Sequence, residues 1–155
     1  MAQMGFEKIR FRKKYGNMPV EAEIGGRIFH FKSKLEYRWA QHLELLKLGG
    51  IIKDWFYEFH TFYFDNAATP KYTPDFLVRN TDNSFEYYET KGLVEKRTID
   101  ALKAVFDERP YVKVTMVFWQ KPKLSTHKRG QLERYCKEII WNANQRIKNE
   151  HIDMT

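Results

Sequence analysis

The order of β-prone and helical segments constrains the fold of this chain more than any other feature of its sequence. Apolar residues at helical spacing predict three helices, and runs of β-branched and aromatic residues between them predict strands. From residue 33 onward the predicted order is α-β-β-β-α-β-α, which favours an α/β fold with one mixed sheet flanked by helices. A β-hairpin is predicted before it at Gly25-Gly26, because glycine tolerates the positive φ of a two-residue turn.

The bounds of these segments follow from their flanking residues. The first helix is predicted to begin at Ser33 and end at Gly49-Gly50, the second to surround residues 99–106, and the last to cover residues 132–147. The predicted strands occupy residues 51–64 (one strand or a pair), 72–78, 85–91 and 111–119, with a loop at 65–70 and a turn at 80–84.

The net charge favours a polyanionic partner. The 155 residues include 27 Lys and Arg against 20 Asp and Glu, a formal charge of +7, which favours nucleic acid first and an anionic membrane surface second. Residues 1–32 and 119–155 each carry +4, whereas residues 33–118 carry −1. This distribution fits an acidic site approached by a polyanion, and it equally fits basic termini that are merely solvated.

Several classes of protein are disfavoured by what the sequence lacks. Cys136 is the only cysteine, which rules out a disulfide framework and a cysteine-rich zinc site. No run approaches the roughly 18 apolar residues of a membrane helix. The absence of a Gly-rich phosphate loop and of a Gly-x-Ser-x-Gly turn argues against a nucleotide cofactor and serine-hydrolase chemistry. Because the N-terminal residues lack the apolar run of a signal peptide, we expect a cytoplasmic protein.

Two carboxylates are predicted to meet on neighbouring strands. Asp75 follows Pro74, and Glu89-Thr90-Lys91 comes at the end of the next predicted strand, where alternation places Glu89 and Lys91 on one face and Thr90 on the other. If the two strands pair as a hairpin, the carboxylates can bind one Mg²⁺ or Mn²⁺, and the lysine can hold a water or a phosphate. Phosphodiester hydrolysis needs such a set. The alternative is that Asp75 is a turn residue after proline and that Glu89 and Lys91 are an ordinary solvent-facing pair on an edge strand.

These residues resemble the PD-(D/E)xK nuclease superfamily, in which a Pro-Asp and a Glu-x-Lys lie on adjacent strands after an acidic helix. The matching residues are Pro74-Asp75, Glu89-Thr90-Lys91 and, in the first helix, Glu36. Residues 14–17, 25–26, 31–36 and 45–52 look like a phage-associated branch of that superfamily, described as endonucleases or Holliday-junction resolvases. The match follows the order of elements over roughly residues 14–118.

The resemblance implies a restriction-endonuclease-like αβββαβ core and metal-dependent cleavage of DNA with Mg²⁺ or Mn²⁺. It implies that Asp75 and Glu89 bind the metal, Thr90 lends its backbone carbonyl, Lys91 positions the attacking water, and Glu36 completes the acidic cluster. Glu36 has another interpretation, because Ser33-x-x-Glu36 is a capping box in which the glutamate bonds the backbone N–H of Ser33.

The first choice of substrate, from the resemblance alone, is branched DNA such as a Holliday junction formed in phage or bacterial DNA recombination. Symmetric cleavage of a four-way junction needs two active sites, and a homodimer would follow. Three other kinds of protein stay open: a nicking, flap or single-strand nuclease, an RNase, and a non-catalytic DNA-binding module.

We expect one nuclease domain over residues 1–155, made of a basic arm and hairpin at 1–32, a catalytic core at 33–119, and a basic loop with a C-terminal helix at 120–155. The basic residues expected to contact DNA are Lys8, Arg10, Arg12, Lys13, Lys14, Lys34, Lys96, Arg97, Lys121, Lys123, His127, Lys128 and Arg129. For Lys96 and Arg97, solubility charges at a helix start are an equal alternative. The aromatic run at 55–64 indicates either stacking on unpaired bases or, more often, a buried strand or a dimer face.

Overall fold

A computed structural model describes residues 10–11, 18–66 and 68–153 of the chain. The strands of this part are β1 (Arg10–Phe11), β2 (Val20–Ile24), β3 (Arg27–Phe31), β4 (Ile52–Tyr57), β5 (Phe62–Tyr63), β6 (Lys71–Tyr72), β7 (Phe76–Asn80), β8 (Phe85–Thr90), β9 (Val114–Val117) and β10 (Glu138–Ile140). Its helices are α1 (Lys34–Leu48), α2 (Lys96–Glu108), α3 (Thr126–Tyr135) and α4 (Ala143–Asp153). Among the described residues, no helix has the length and apolar character needed to cross a membrane.

The predicted mixed sheet is confirmed. Five strands pair in the order β10-β9-β8-β7-β4. The pairs β4–β7 and β7–β8 are antiparallel, whereas β8–β9 and β9–β10 are parallel. A short turn joins β7 to β8, and α2 lies between the parallel strands β8 and β9, because parallel neighbours need a crossover connection. The chain is therefore a mixed α/β protein.

The predicted hairpin and first helix are also confirmed. Gly25 and Gly26 have φ of 58° and 79° at the turn between β2 and β3. Ser33 caps α1, since its Oγ accepts the backbone N–H of Glu36 at 3.1 Å. Gly50, with φ of 74°, follows the end of the helix, where a left-handed residue is typical.

Two apolar clusters lie on opposite faces of the five-stranded sheet. Along β9, Val117 belongs to the first cluster and Met116 to the second, as alternation of side chains requires. Trp39 of α1 packs in the first cluster with residues of the hairpin. Leu102 of α2 and Leu132 of α3 pack in the second. The ends of β7 and β8 are thus held between two packed layers.

Two predicted strands are divided. Residues 51–64 form β4 and β5, which pair with β7 and β6 rather than with each other. The strand predicted at 72–78 is interrupted between β6 and β7, where Pro74 has no N–H to donate to a ladder. Asp75 lies in this interruption, directly before β7, and its position therefore depends on the break.

The single last helix predicted at residues 132–147 is wrong. This stretch contains the end of α3, the strand β10 and the start of α4. Cys136 leaves the helical conformation with ψ of 147°, and Ile139-Ile140 extends the sheet by pairing with β9. The pairing satisfies backbone N–H and C=O groups along the edge of β9, which one continuous helix would leave unpaired. Cys136 is half-buried here, and burial, with a smaller effect of the Glu89 charge, raises the pKa of its thiol to about 12.

The basic loop predicted around residues 121–129 is only partly a loop. Ser125 caps α3, because its Oγ accepts the backbone N–H of Lys128 at 3.2 Å. His127, Lys128 and Arg129 therefore lie in the first turn of a helix, whereas residues 120–125 are irregular. Charge density and Pro122 favoured a loop in the sequence, and the capping serine was the opposing signal.

Candidate active site

Asp75 and Glu89 come together at neighbouring ends of two paired strands. Asp75 precedes β7, whose first residue Phe76 pairs with Tyr88 of β8. The backbone N–H of Asp75 donates to Glu89 Oε2 at 3.3 Å. Asp75 and Glu89 are only 7% and 5% exposed, and β8 is an inner strand of the sheet, so the alternative that Glu89 belongs to a solvent-facing pair on an edge strand is wrong.

The residues after Glu89 tie this pair together. The backbone N–H and the hydroxyl of Thr90 both donate to Asp75 Oδ2 at 2.8 Å. Lys91 Nζ lies 3.3 Å from Glu89 Oε1, so these two side chains meet as strand alternation predicts. Thr90 was expected to face away and contribute its backbone alone, but its hydroxyl also contacts Asp75. Three groups thus contact the two carboxylates: the backbone N–H and the hydroxyl of Thr90 at Asp75, and the ammonium of Lys91 at Glu89.

Glu36 of α1 is buried, with 6% of its surface exposed. Its Oε2 accepts the backbone N–H of Lys32 at 2.9 Å and the hydroxyl of Tyr57 at 2.6 Å. The capping box is therefore half formed: Ser33 Oγ accepts the backbone N–H of Glu36, but the glutamate bonds Lys32 rather than Ser33. Glu36 acts on the helix terminus and faces β4 at the same time.

The charge of Asp75 acts on both glutamates. Burial raises the pKa of Glu36 to about 7, and the Asp75 charge adds to this. Burial likewise raises the pKa of Glu89 to about 7, again with Asp75 as the second cause, while Lys91 opposes it. Burial raises the pKa of Asp75 itself against the hydrogen bonds from Thr90. The three acids therefore form one electrostatic cluster whose mutual repulsion a cation would relieve.

A fourth acid, Glu58, was missed by sequence reasoning. It follows β4 with φ of 47°, an uncommon conformation for a residue other than glycine. Its backbone N–H donates to the carbonyl of Asp75 at 2.8 Å, and its carboxylate pairs with Lys32 at 2.5 Å. Its charge raises the pKa of both Asp75 and Glu36. Only its place after an aromatic strand could have indicated it, and that signal is weak.

Two tyrosines were missed as well. Tyr57 donates to Glu36, and the hydroxyl of Tyr72 donates to Glu89 Oε2 at 2.7 Å. In the sequence they are two of nine tyrosines, and their aromatic neighbours indicated packing alone. Their contacts depend on strand pairing that the sequence did not specify.

The donor chemistry of the cluster fits Mg²⁺ or Mn²⁺. Asp75, Glu89 and Glu36 offer hard carboxylate oxygens, and burial raises the pKa of all three. Within residues 10–11, 18–66 and 68–153, no group of three His, Cys, Asp or Glu side chains is arranged to hold a metal ion. Mg²⁺ is usually held by one or two carboxylates, with waters and phosphate oxygens completing its shell, and the pair Asp75 and Glu89 suits that mode.

The predicted DNA-contacting residues fall into separate groups. Lys34 is exposed at the start of α1. In the first turn of α2, Lys96 pairs with Asp100 and Arg97 with Glu95, both at 2.7 Å. Arg10 belongs to β1, which pairs with β2, so the run predicted as an arm contains a strand. The other four basic residues predicted in that arm lie outside the described residues: Lys8, Arg12, Lys13 and Lys14.

The C-terminal basic residues gather beside Trp141. Lys121 Nζ and Arg129 Cζ lie 5.7 Å and 5.4 Å from the centre of its ring. Arg129 also pairs with Glu133 at 3.0 Å, and Lys128 Nζ donates to the carbonyl of Val94 at 3.2 Å. The two remaining residues of this set, Lys123 and His127, are exposed.

The aromatic run at residues 55–64 is buried in part. Trp55 is fully buried, and Phe62 and Phe64 are also buried. Phe59 and Tyr63 are exposed. The buried-strand interpretation therefore holds for Trp55, Phe62 and Phe64.

Comparison with known proteins identifies no relative for this chain: no family model, no curated protein and no solved structure matches it.

Proposed function

We propose that this chain is a metal-dependent DNA endonuclease of the PD-(D/E)xK type. One observation carries the proposal: Asp75, Glu89 and Lys91 lie together at the ends of β7 and β8, and the charge of Asp75 acts on buried Glu36 of α1 and adds to the rise of its pKa. The succession α1-β4-β7-β8-α2-β9 supports a restriction-endonuclease-like αβββαβ core. The order of the elements and the placement of these side chains both support the resemblance to the PD-(D/E)xK pattern.

In the proposed reaction, Asp75 and Glu89 hold Mg²⁺ or Mn²⁺, with the backbone carbonyl of Thr90 as a further ligand. The bound metal would acidify a water and stabilise the charge that grows on the phosphate. Lys91, which lies against Glu89, supplies a positive charge for that water or for a phosphate oxygen. Glu36 completes the acidic cluster, and its negative charge strengthens the attraction for the cation.

The formal charge of +7 supports a polyanionic substrate. We propose DNA, with a branched form such as a Holliday junction as the first choice, and therefore a homodimer that presents two sites. The exposed cations Lys121 and Lys123, with Arg129, would hold the phosphate backbone. The setting proposed is intracellular, in recombination of phage or bacterial DNA.

A substrate panel tests the proposal. Four-way junction, duplex, flap and single-stranded DNA, together with a matched RNA, are each incubated with Mg²⁺, Mn²⁺ or a chelator. We expect metal-dependent cleavage, fastest on the junction, with paired nicks at symmetric positions. Cleavage confined to flaps, single strands or RNA would reassign the substrate. Binding of DNA without cleavage in either metal would leave a non-catalytic DNA-binding module and overturn the enzyme.

A further inference from the structure

Both site glutamates with a pKa of about 7 are held in the same way. Tyr57 donates to Glu36 Oε2 at 2.6 Å, and Tyr72 donates to Glu89 Oε2 at 2.7 Å. In both cases the hydroxyl comes from a strand that pairs with β7 or leads into it. The two contacts are thus equivalent in chemistry but come from opposite sides of the sheet, one beside each apolar cluster.

The same oxygen of each glutamate also accepts a backbone N–H. Lys32 donates to Glu36 Oε2 at 2.9 Å, and Asp75 donates to Glu89 Oε2 at 3.3 Å. Two donors converging on one carboxylate oxygen fix the rotation of the carboxyl group. The other oxygen of Glu89, Oε1, lies 3.3 Å from Lys91 Nζ, whereas both donors to Glu36 bond its Oε2.

The tyrosines are suited to donate and not to compete for a cation. Burial and the charge of the neighbouring glutamate raise the pKa of both hydroxyls well above the usual range. They therefore stay protonated at neutral pH, and the hydroxyl proton is committed to the carboxylate. A group that orients a metal ligand through a hydrogen bond has this character.

We propose that Tyr57 and Tyr72 are positioning residues, each of which holds Oε2 of a site glutamate and so orients the carboxylate for a divalent cation at Oε1, which in Glu89 lies beside Lys91. This inference rests on the proposed function, because it gives the tyrosines their role through the metal site. Neither tyrosine contacts substrate in this scheme. Each acts through the carboxylate that it orients.

Tyr88 provides a matched control within the same sheet. Its hydroxyl donates to Glu86 Oε2 at 3.1 Å, so it is also a half-buried tyrosine bonded to a glutamate. Glu86 pairs with Lys137 and lies outside the acidic cluster. Tyr88→Phe therefore reproduces the loss of a tyrosine–glutamate hydrogen bond without touching the proposed metal ligands.

The experiment measures Mn²⁺ binding by calorimetry in the full chain, for wild type, Tyr57→Phe, Tyr72→Phe and Tyr88→Phe. Loss of an orienting partner typically weakens metal affinity by about 10- to 100-fold. We expect a weakening in that range for Tyr72→Phe, a smaller one for Tyr57→Phe, and unchanged binding for Tyr88→Phe. Melting curves of all four proteins check that each is folded. The metal concentration for half-maximal cleavage should rise in parallel, with the rate at saturating metal largely recovered.

The outcomes separate this inference from the proposed function. Wild type that binds Mn²⁺ together with a Tyr72→Phe variant that binds it equally well would overturn the positioning role and leave the nuclease proposal intact. Weakened binding in Tyr88→Phe to the same degree would show a general effect of stability and also overturn it. Wild type that binds no Mn²⁺ would remove the metal site and this inference with it.

Discussion

The acidic cluster around Asp75 and the basic segment at residues 121–129 are both densely charged, but the protein holds them in different ways. Three acids of the cluster, Glu36, Asp75 and Glu89, are buried, and each accepts hydrogen bonds from other parts of the chain, as Asp75 does from Thr90. The basic residues are exposed, and Arg129 finds its ion-pair partner, Glu133, one turn along its own helix. Position is fixed in the first region, whereas the second mainly supplies charge.

This difference separates two contributions to function. Burial and the charge of Asp75 raise the pKa of Glu36 and of Glu89, and strongly shifted pKa values are typical of functional sites. Exposed cations act on a polyanion through charge that salt screens, with little demand on geometry. Substitutions in the acidic cluster should therefore change the chemical step, and substitutions in the basic segment should change binding.

The largest effect is expected from Asp75→Asn. Asparagine keeps the size of the side chain and an oxygen for the two donors of Thr90, but it removes the charge that the proposed metal site needs. Cleavage in Mg²⁺ should fall by about 10²- to 10³-fold or more. The melting temperature should stay level or rise, because the repulsion of Glu36 and Glu89 is relieved.

The control for this variant is Asp82→Asn in the β7–β8 turn. Asp82 is an exposed acid that accepts hydrogen bonds from Ser84. The Asp82→Asn protein should cleave DNA at the wild-type rate. Cleavage at the wild-type rate by the Asp75→Asn protein would show that the buried acids are no more important for cleavage than an exposed acid.

Glu36→Gln gives the next largest effect and separates the two roles of this residue. A glutamine oxygen can still accept from Lys32 and Tyr57, so the helix terminus is preserved. A role in the acidic cluster predicts a loss of cleavage of about 10-fold or more without a fall in melting temperature. A role in capping alone predicts normal cleavage.

Glu44→Gln is the matched control on the same helix. Glu44 Oε2 accepts the indole N–H of Trp55 at 2.7 Å, so it too binds an aromatic donor from β4. It lies outside the acidic cluster and should leave the rate of cleavage unchanged. Equal losses in Glu36→Gln and Glu44→Gln would indicate an effect of α1 packing instead of charge.

The sequence predicted the parts of this site that depend on local pattern. Strand periodicity brought Glu89 and Lys91 to one face, and the turn between two strands placed Asp75 beside them. The apolar stripe of α1 and the Ser33 cap placed Glu36 at the start of a buried helix face. These features are properties of a few neighbouring residues.

The parts that were missed depend on contacts between distant segments. Glu58 joins the cluster through a left-handed conformation and a bond to the backbone of Asp75, neither of which leaves a sequence pattern. Tyr57 and Tyr72 look like packing residues until the strands are paired. Ile139-Ile140 continued the apolar stripe of a predicted helix, but these residues form a strand because they pair with the edge of β9.

The pH dependence of stability is expected to follow the acidic cluster. The pKa of Glu36 and of Glu89 is raised to about 7, against roughly 4.3 for a glutamate in an unfolded chain. Between these values the folded protein binds more protons than the unfolded chain, so the free energy of unfolding falls as pH rises, by up to about 1.4 kcal/mol per pH unit for each group. In chelator, the melting temperature should fall from about pH 5 to about pH 7.5 and level off above that.

Two variants sharpen this expectation. Glu36→Gln removes one titrating group and should make the fall shallower, whereas Lys121→Gln in the basic segment should leave it as in wild type. Saturating Mn²⁺ should raise the melting temperature most at the upper end of the range, where the carboxylates are ionised. A melting temperature that is constant from about pH 5 to about pH 7.5 would show that folding does not raise the pKa of the two glutamates.

The smallest effect is expected in the basic segment, from the double variant Lys121→Gln, Lys123→Gln. Both lysines are exposed in the irregular stretch before α3, and binding of DNA to them must release counterions. The plot of log binding constant against log salt should therefore become shallower by up to about 1.8 units, at about 0.9 for each phosphate that is no longer neutralised. Binding to junction and duplex should weaken by a similar factor, since phosphate contacts carry no information on shape or sequence.

The control is the double variant Lys53→Gln, Lys103→Gln, which removes the same charge elsewhere on the surface and should leave the slope near wild type. Equal slopes in the two double variants would mean that net charge alone attracts DNA, and loss of junction binding alone would give the basic segment a defined geometry like that of the acidic cluster.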